Sequence, residues 1–453
     1  MMNRRDFLRA ASASAMGVTL FGTPRSSSAA TPFPGPYWLF VEARGGWDPT
    51  SFCDPKGAGL GLEGDINDYA QSEVGQIGNL RYAPPPNSFR TGGAFHVPNL
   101  YSPEDFFTSH YQRLVVANGI LFDTNAHSIG QTVAWSGSKT LSYPSIGALI
   151  ASEFAPQNPL PFVSTTNGPS SNTRGIVPSI VVQGGGINAI REVALPNHSN
   201  VFNSNPNTFY HADPVRQEIA AAAAARRQRQ LSQQGLPRIS DAMSYQDGLK
   251  ALDPALLTDF VDALGATSTP NAYLETRGSD ARGFFERGQT AFSAFESGAA
   301  ASALISFGTF DTHSNHDERH YPKIVDYLAV VDNLIADATA RGFGDQLIIV
   351  MASDFARTAK LNDDQGKDHW GHGSALVWGG PAHINGNRVV GATDDTQISV
   401  PIDPVSLLPD AGGIDLTNEV IHQALRRVAG IHDRASVTES FPFVEAALPI
   451  FSV

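Results

Sequence analysis

Short apolar runs that end abruptly in glycine and acidic residues do most to limit the folds open to this chain. Tyr37-Trp38-Leu39-Phe40-Val41 empties into Glu42-Ala43-Arg44-Gly45-Gly46-Trp47-Asp48, and further runs occupy residues 114–117, 179–182, 303–307, 347–352 and 375–378. The runs are mainly apolar rather than alternating, with Ser179 and Ser306 the exceptions, as strands buried on both faces require. Helical patterns separate several of them. From Ile324, the positions Leu328, Val331, Ile335 and Ala338 recur at spacings of three and four, which predicts one buried stripe on a helix ending near Gly342. Residues 417–430 predict a late covering helix. Strands alternating with such helices predict an α/β domain, a mostly parallel sheet covered on both faces.

Composition narrows the function classes. With 44 acidic against 31 basic side chains the net charge is −13, which excludes a broad nucleic-acid footprint. Cys53 is the single cysteine, so stability comes from the 42% of hydrophobic residues, helped by any bound metal, and from no internal disulfide. Between about 196 and 300 the character changes to a helical insertion beside the sheet, with an alanine-rich stretch carrying Arg226, Arg227 and Arg229 as a solvated face and amphipathic pieces at 249–264 and 282–295. The first 30 residues begin Asn3-Arg4-Arg5-Asp6-Phe7-Leu8, continue through a mildly apolar stretch and end Ser28-Ala29-Ala30, the order of a twin-arginine export signal. With no later apolar run long enough to span a bilayer, the mature protein is expected to lie in the periplasm or outside the cell, its export machinery being its one implied protein partner.

Three aspartates follow apolar runs directly: Asp48, Asp311 and Asp354. In a parallel sheet all three project from the carboxyl edge, where α/β proteins place ligands. Histidines lie close by, in Asp311-Thr312-His313-Ser314-Asn315-His316 and Asp368-His369-Trp370-Gly371-His372. Mixed carboxylate and imidazole donors suit Zn²⁺ or Mn²⁺, with Mg²⁺ or Ca²⁺ as alternatives. His320, His198, His211 and His383 read as solvated loop residues. Ser128, after the run at 114–119, begins a helical pattern with Ile129 and Val133 on one face; the pattern alone favours a plain N-cap serine, while backbone N–H groups at such a start also favour an anion or alkoxide.

The run from Ser128 to Ala134-Trp135-Ser136-Gly137 resembles the nucleophile helix of alkaline phosphatases, and His372-Gly373-Ser374 with the following strand is similar to their late metal-ligand segment. The twin-arginine start, Arg44-Gly45-Gly46-Trp47-Asp48, Asp311-Thr312-His313, Ser353-Asp354-Phe355-Ala356-Arg357-Thr358 and Asp368-His369 resemble the DUF1501 family of exported bacterial proteins, placed in the alkaline-phosphatase-like superfamily. The resemblance implies an alkaline-phosphatase-like three-layer α/β core, and two metal ions flanking a serine. By that correspondence Asp48 and Asp354 serve one ion beside Ser128, while Asp311, His313 and His372 or His369 serve the other, with His316 a rival to His313. Phe355 stands where alkaline phosphatases have a histidine, so one site lacks a strong nitrogen ligand. Cys53-Asp54-Pro55-Lys56-Gly57 begins like the sulfatase cysteine motif but has Gly57 in place of arginine.

These readings converge on an exported, metal-dependent hydrolase of a small-molecule or polymeric phosphate or related ester, with Ser128 as nucleophile and Arg357 holding non-bridging oxygens by a bidentate contact. The rival is a binding or assembly protein at the cell surface that keeps the fold and one ion.

Overall fold

The computed structural model describes residues 33–452 apart from 34, 61–65, 157, 159, 178, 182–198, 200–208 and 236–271. An eight-stranded sheet forms its centre: β1 (Tyr37–Ala43), β2 (Leu114–Leu121), β3 (Phe162–Ser164), β4 (Ser179–Val181), β5 (Ser302–Phe307), β6 (Leu347–Ser353), β7 (His372–Gly379) and β8 (Arg388–Val390), in spatial order β8-β2-β7-β6-β1-β5-β3-β4. All neighbouring pairs are parallel except those made by β7, which runs antiparallel to β6 and β2. The expected α/β architecture with a mostly parallel sheet is what the chain adopts.

The physical reason is visible in β1. Leu39, Val41 and Ala43 enter one apolar cluster and Trp38 and Phe40 the other, so both faces are buried and an all-apolar run is stable only here. Helices α1 (His127–Ser136), α2 (Ile146–Phe154) and α6 (Asn418–Val428) contribute to the Trp38/Phe40 side, and α4 (Ser279–Glu296) and α5 (His316–Ala340) to the other. Between them in sequence, α3 (Asp213–Ser232) buries no residue, as a solvated arginine face requires. The amphipathic piece expected at 282–295 is α4, which drives Phe284, Phe285, Phe292 and Phe295 into the core and so belongs to the covering layer. The piece at 249–264 and the export signal lie outside the described residues. Among the described residues no helix is long and apolar enough to cross a membrane.

Register aligns the strand ends. Ala43 pairs with Ser353 and with Phe307, so β1, β5 and β6 release their chains at one edge. Because β7 is antiparallel, its first residue, His372, pairs with Leu121 at the end of β2 and falls on that same edge. Segments from distant parts of the sequence therefore meet above the sheet.

Candidate metal centre

Asp354 is the anchor, fully buried just past β6. Gly45 and Gly46 donate their backbone N–H groups to Oδ1 at 3.1 and 2.6 Å, and the Ser353 hydroxyl, whose proton is shared with the Ala43 carbonyl at 2.6 Å, lies 3.0 Å from it. Both glycines have positive φ, and a Cβ on Gly45 would stand 2.6 Å from the Asp311 nitrogen, so the loop after β1 tolerates only glycine there. Oδ2 meets His127 Nδ1 at 2.6 Å. That contact depends on Gly130: a Cβ there would sit 2.2 Å from the Asp354 carbonyl, so only glycine lets α1 rest its first turn on the end of β6. Asp354 raises the His127 pKa by its hydrogen bond, against the opposing effect of burial.

With Nδ1 occupied, His127 Nε2 points inward, buried and without a hydrogen-bond partner among the described residues, 3.5 Å from Asp311 Oδ2. Two other imidazoles are arranged alike. His369 has Nδ1 at 2.7 Å from the Asn125 carbonyl, and His313 has Nδ1 at 2.7 Å from Asp368 Oδ1. Their Nε2 atoms lie 3.2 and 3.0 Å from Asp311 Oδ1 and 3.0 Å from each other. Each Nδ1 is thus fixed by an oxygen, which leaves three Nε2 lone pairs converging on one carboxylate. A proton shared between His313 and His369 or the Arg357 Nη1 at 3.5 Å from His313 can satisfy part of this group, and the same mixed imidazole and carboxylate donors fit a divalent ion. Ligand atoms of His127, Asp311 and His369 all fall within 4.8 Å of one another.

Burial would raise the Asp311 pKa, but Arg357 outweighs it and holds the carboxyl down at about 2. Arg357 is itself fully buried: Nε donates to the Gly46 carbonyl at 3.0 Å, Nη1 to the Lys367 carbonyl at 3.0 Å, and Nη2 to the Gly45 carbonyl and Asp311. Phe355 supplies no nitrogen; its ring packs against His127 and His369 at centroid distances of 4.7 and 4.6 Å and fixes their separation.

Several expected ligands lie elsewhere. Asp48 belongs to a separate, fully buried network, its carboxylate taking Lys367 Nζ at 2.6 Å, the Thr50 and Ser51 hydroxyls and His316 Nε2 at 3.1 Å. The Asp48 N–H donates to His320 Nε2, so His320 Nδ1 carries the proton toward the Thr312 hydroxyl, which passes its own to His316 Nδ1. Both histidines are neutral in this chain, and burial presses the His316 pKa down to about 4 and that of His320 well below its usual value. For Asp48, burial alone would raise the pKa, but Lys367 and His316 reverse the sign and hold it well below the carboxylate range. His320, expected in a solvated loop, is a buried helix residue instead; α5 begins a full two turns before its apolar stripe because this polar network satisfies the histidines. Between the rivals, His313 faces Asp311 and His316 does not. His372 bonds Ser399 Oγ at 2.7 Å and stands outside the converging group. Ser128 is the second residue of α1, exposed, with no hydrogen bond on its hydroxyl among the described residues.

A family model described as "Protein of unknown function (DUF1501)" matches residues 38–410. The chain belongs to the DUF1501 family. Among curated protein sequences none matches it. This DUF1501 member is distantly similar to several solved structures. Ps i-CgsB shares 9% identity at a TM-score of 0.38, over 87% of this chain and 72% of that one. The alkaline phosphatase of the Antarctic bacterium TAB5 shares 10% at 0.34, over 78% and 94%. A 2-O GAG sulfatase shares 11% at 0.32, over 88% and 72%.

Proposed function

We propose that this DUF1501 member is an exported, metal-dependent hydrolase of a phosphate or related ester. The observation that carries this reading is the convergence of three imidazole Nε2 atoms and Asp311 at the carboxyl edge of the sheet, each imidazole oriented from behind by a carboxylate or carbonyl. Asp311 and His369 would hold a divalent ion, Zn²⁺ in the first instance, which would polarise the ester as a Lewis acid. Asp311 and His313 are 45% and 48% exposed, so substrate and water can reach this side. Arg357 fixes the position of Asp311. Ser128 supplies the nucleophile: it is exposed next to His127 in sequence, and the first turn of α1, uncapped by any side chain among the described residues, favours an oxyanion there. The ordered signals in residues 1–30 support export to the periplasm or beyond.

The test is turnover of a generic aryl phosphate and an aryl sulfate by zinc-loaded full chain, wild type beside Ser128→Ala. Turnover in the wild type that falls by orders of magnitude in the variant, with metal content intact, supports the reading. An unchanged rate removes Ser128, and no turnover of either ester removes the hydrolase. The binding or assembly reading draws its support from the carboxylates of Asp48 and Asp354, both fully engaged inside the protein.

A further inference from the structure

We propose that the centre takes a single ion, that His127 is one of its ligands together with Asp311 and His369, and that Asp354 acts only as the residue orienting His127. The inference rests on the metal assignment above and departs from the two-ion correspondence drawn from sequence, in which Asp354 was itself a ligand.

The hydrogen bonds of Asp354 lead to it. Oδ1 accepts from two backbone amides beside the Ser353 hydroxyl, and Oδ2 meets His127 Nδ1 at 2.6 Å. Oδ2 also takes the Gly45 N–H at 3.3 Å, so both oxygens of this fully buried carboxylate are engaged by the protein. Its one outward effect is on His127, where it fixes the proton on Nδ1 and makes Nε2 a better donor. That Nε2 is buried, without a hydrogen-bond partner among the described residues, and within 4.8 Å of ligand atoms on Asp311 and His369. Two nitrogens and one oxygen match the number of protein ligands in a catalytic zinc site, with the half-exposed His313 Nε2 3.0 Å from Asp311 Oδ1 beside the fourth position. The second carboxylate the two-ion arrangement needs, Asp48, is neutralised by Lys367 in its own buried network. Where a second ion would add positive charge, the chain already places the guanidinium of Arg357 against Asp311.

The experiment is titration of metal-free full chain with Co²⁺, read by visible d–d absorption and by bound metal after dialysis, for wild type, His127→Ala, His127→Gln and Asp354→Asn. Wild type should bind one equivalent. Both His127 variants should weaken binding by at least about tenfold and change the absorption band, while Asp354→Asn should weaken it about 10–100-fold with one equivalent still bound at saturation. Circular dichroism identifies any variant that has not folded. Two equivalents in wild type, no bound cobalt, or folded His127 variants with unchanged affinity and spectrum would each overturn the proposal. Turnover plays no part in these readouts: one ion without hydrolysis ends the hydrolase reading and leaves this one standing, and two ions with hydrolysis does the reverse.

Discussion

Replacing Lys367 by methionine isolates the energetics of the buried network behind the metal centre. Lys367 and Asp48 are both without solvent exposure, and the ammonium gives its three protons to Asp48 Oδ2 at 2.6 Å, Thr50 Oγ1 at 3.0 Å and Asn67 Oδ1 at 2.8 Å. Methionine keeps the length of the chain and removes the charge. Asp48 then remains as a buried carboxylate with only hydroxyl, amide and imidazole partners, and the expected loss is about 3–5 kcal/mol, the usual cost of leaving one member of a buried pair alone. Because Lys367 also offers its carbonyl to Arg357, the backbone there must stay in place for the loss to be electrostatic. Equilibrium urea unfolding followed by tryptophan fluorescence measures the change, Trp47 lying buried one residue from Asp48. Asp48→Asn combined with Lys367→Met should lose less than the two single variants added together, by about 1 kcal/mol or more. A single-variant loss below about 1 kcal/mol, or strict additivity in the double variant, would refute the account of Asp48 as a carboxylate stabilised by Lys367.

Glu42 gives a pH-dependent prediction: burial, joined by the charge of Asp354 and opposed by Arg44 and the Ser306 and Ser170 hydroxyls, lifts its carboxyl to about 7. The neutral form is favoured in the fold, so its contribution is whole below the unfolded value near 4.5 and is lost as pH rises toward 7, by about 3 kcal/mol. Glu42→Gln should therefore gain on wild type by about that amount between pH 4.5 and 8 in urea unfolding, and a pH-independent difference would contradict the assignment. Arg357→Lys cannot reproduce bonds to two glycine carbonyls and Asp311 at once, and turnover in an active wild type should fall about tenfold to a hundredfold, from charged hydrogen bonds worth about 1.5–3 kcal/mol. Replacing Arg4 and Arg5 by lysine should keep the precursor in the cytoplasm; normal appearance of mature protein outside the membrane would end the export reading.

How much of this was legible beforehand follows from which forces are local. Apolar runs such as Tyr37–Ala43 and Leu347–Ser353 announce doubly buried strands by themselves, because only such strands dispense with a polar face. The aspartates after them, and the Asp311/His313 and Asp368/His369 pairs, were likewise visible, since a parallel sheet sends its strand ends to one edge. Two short strands, Phe162–Ser164 and Arg388–Val390, carry three residues each and leave no periodicity to read. What no pattern in the chain discloses is how hydrogen bonds are divided among similar side chains. Asp48 and Asp354 look alike in sequence, yet one faces Lys367 and the other His127; His313 and His316 stand three residues apart, yet one reaches Asp311 in the open and the other is sealed against Asp48. Apart from His313 with Asp311, those choices are made by contacts between residues more than two hundred positions apart, by the approach that Gly45 and Gly130 permit, and by the cost of burying any charge without a partner. Only the folded chain settles which carboxylate is spent on the protein and which stands exposed among imidazoles.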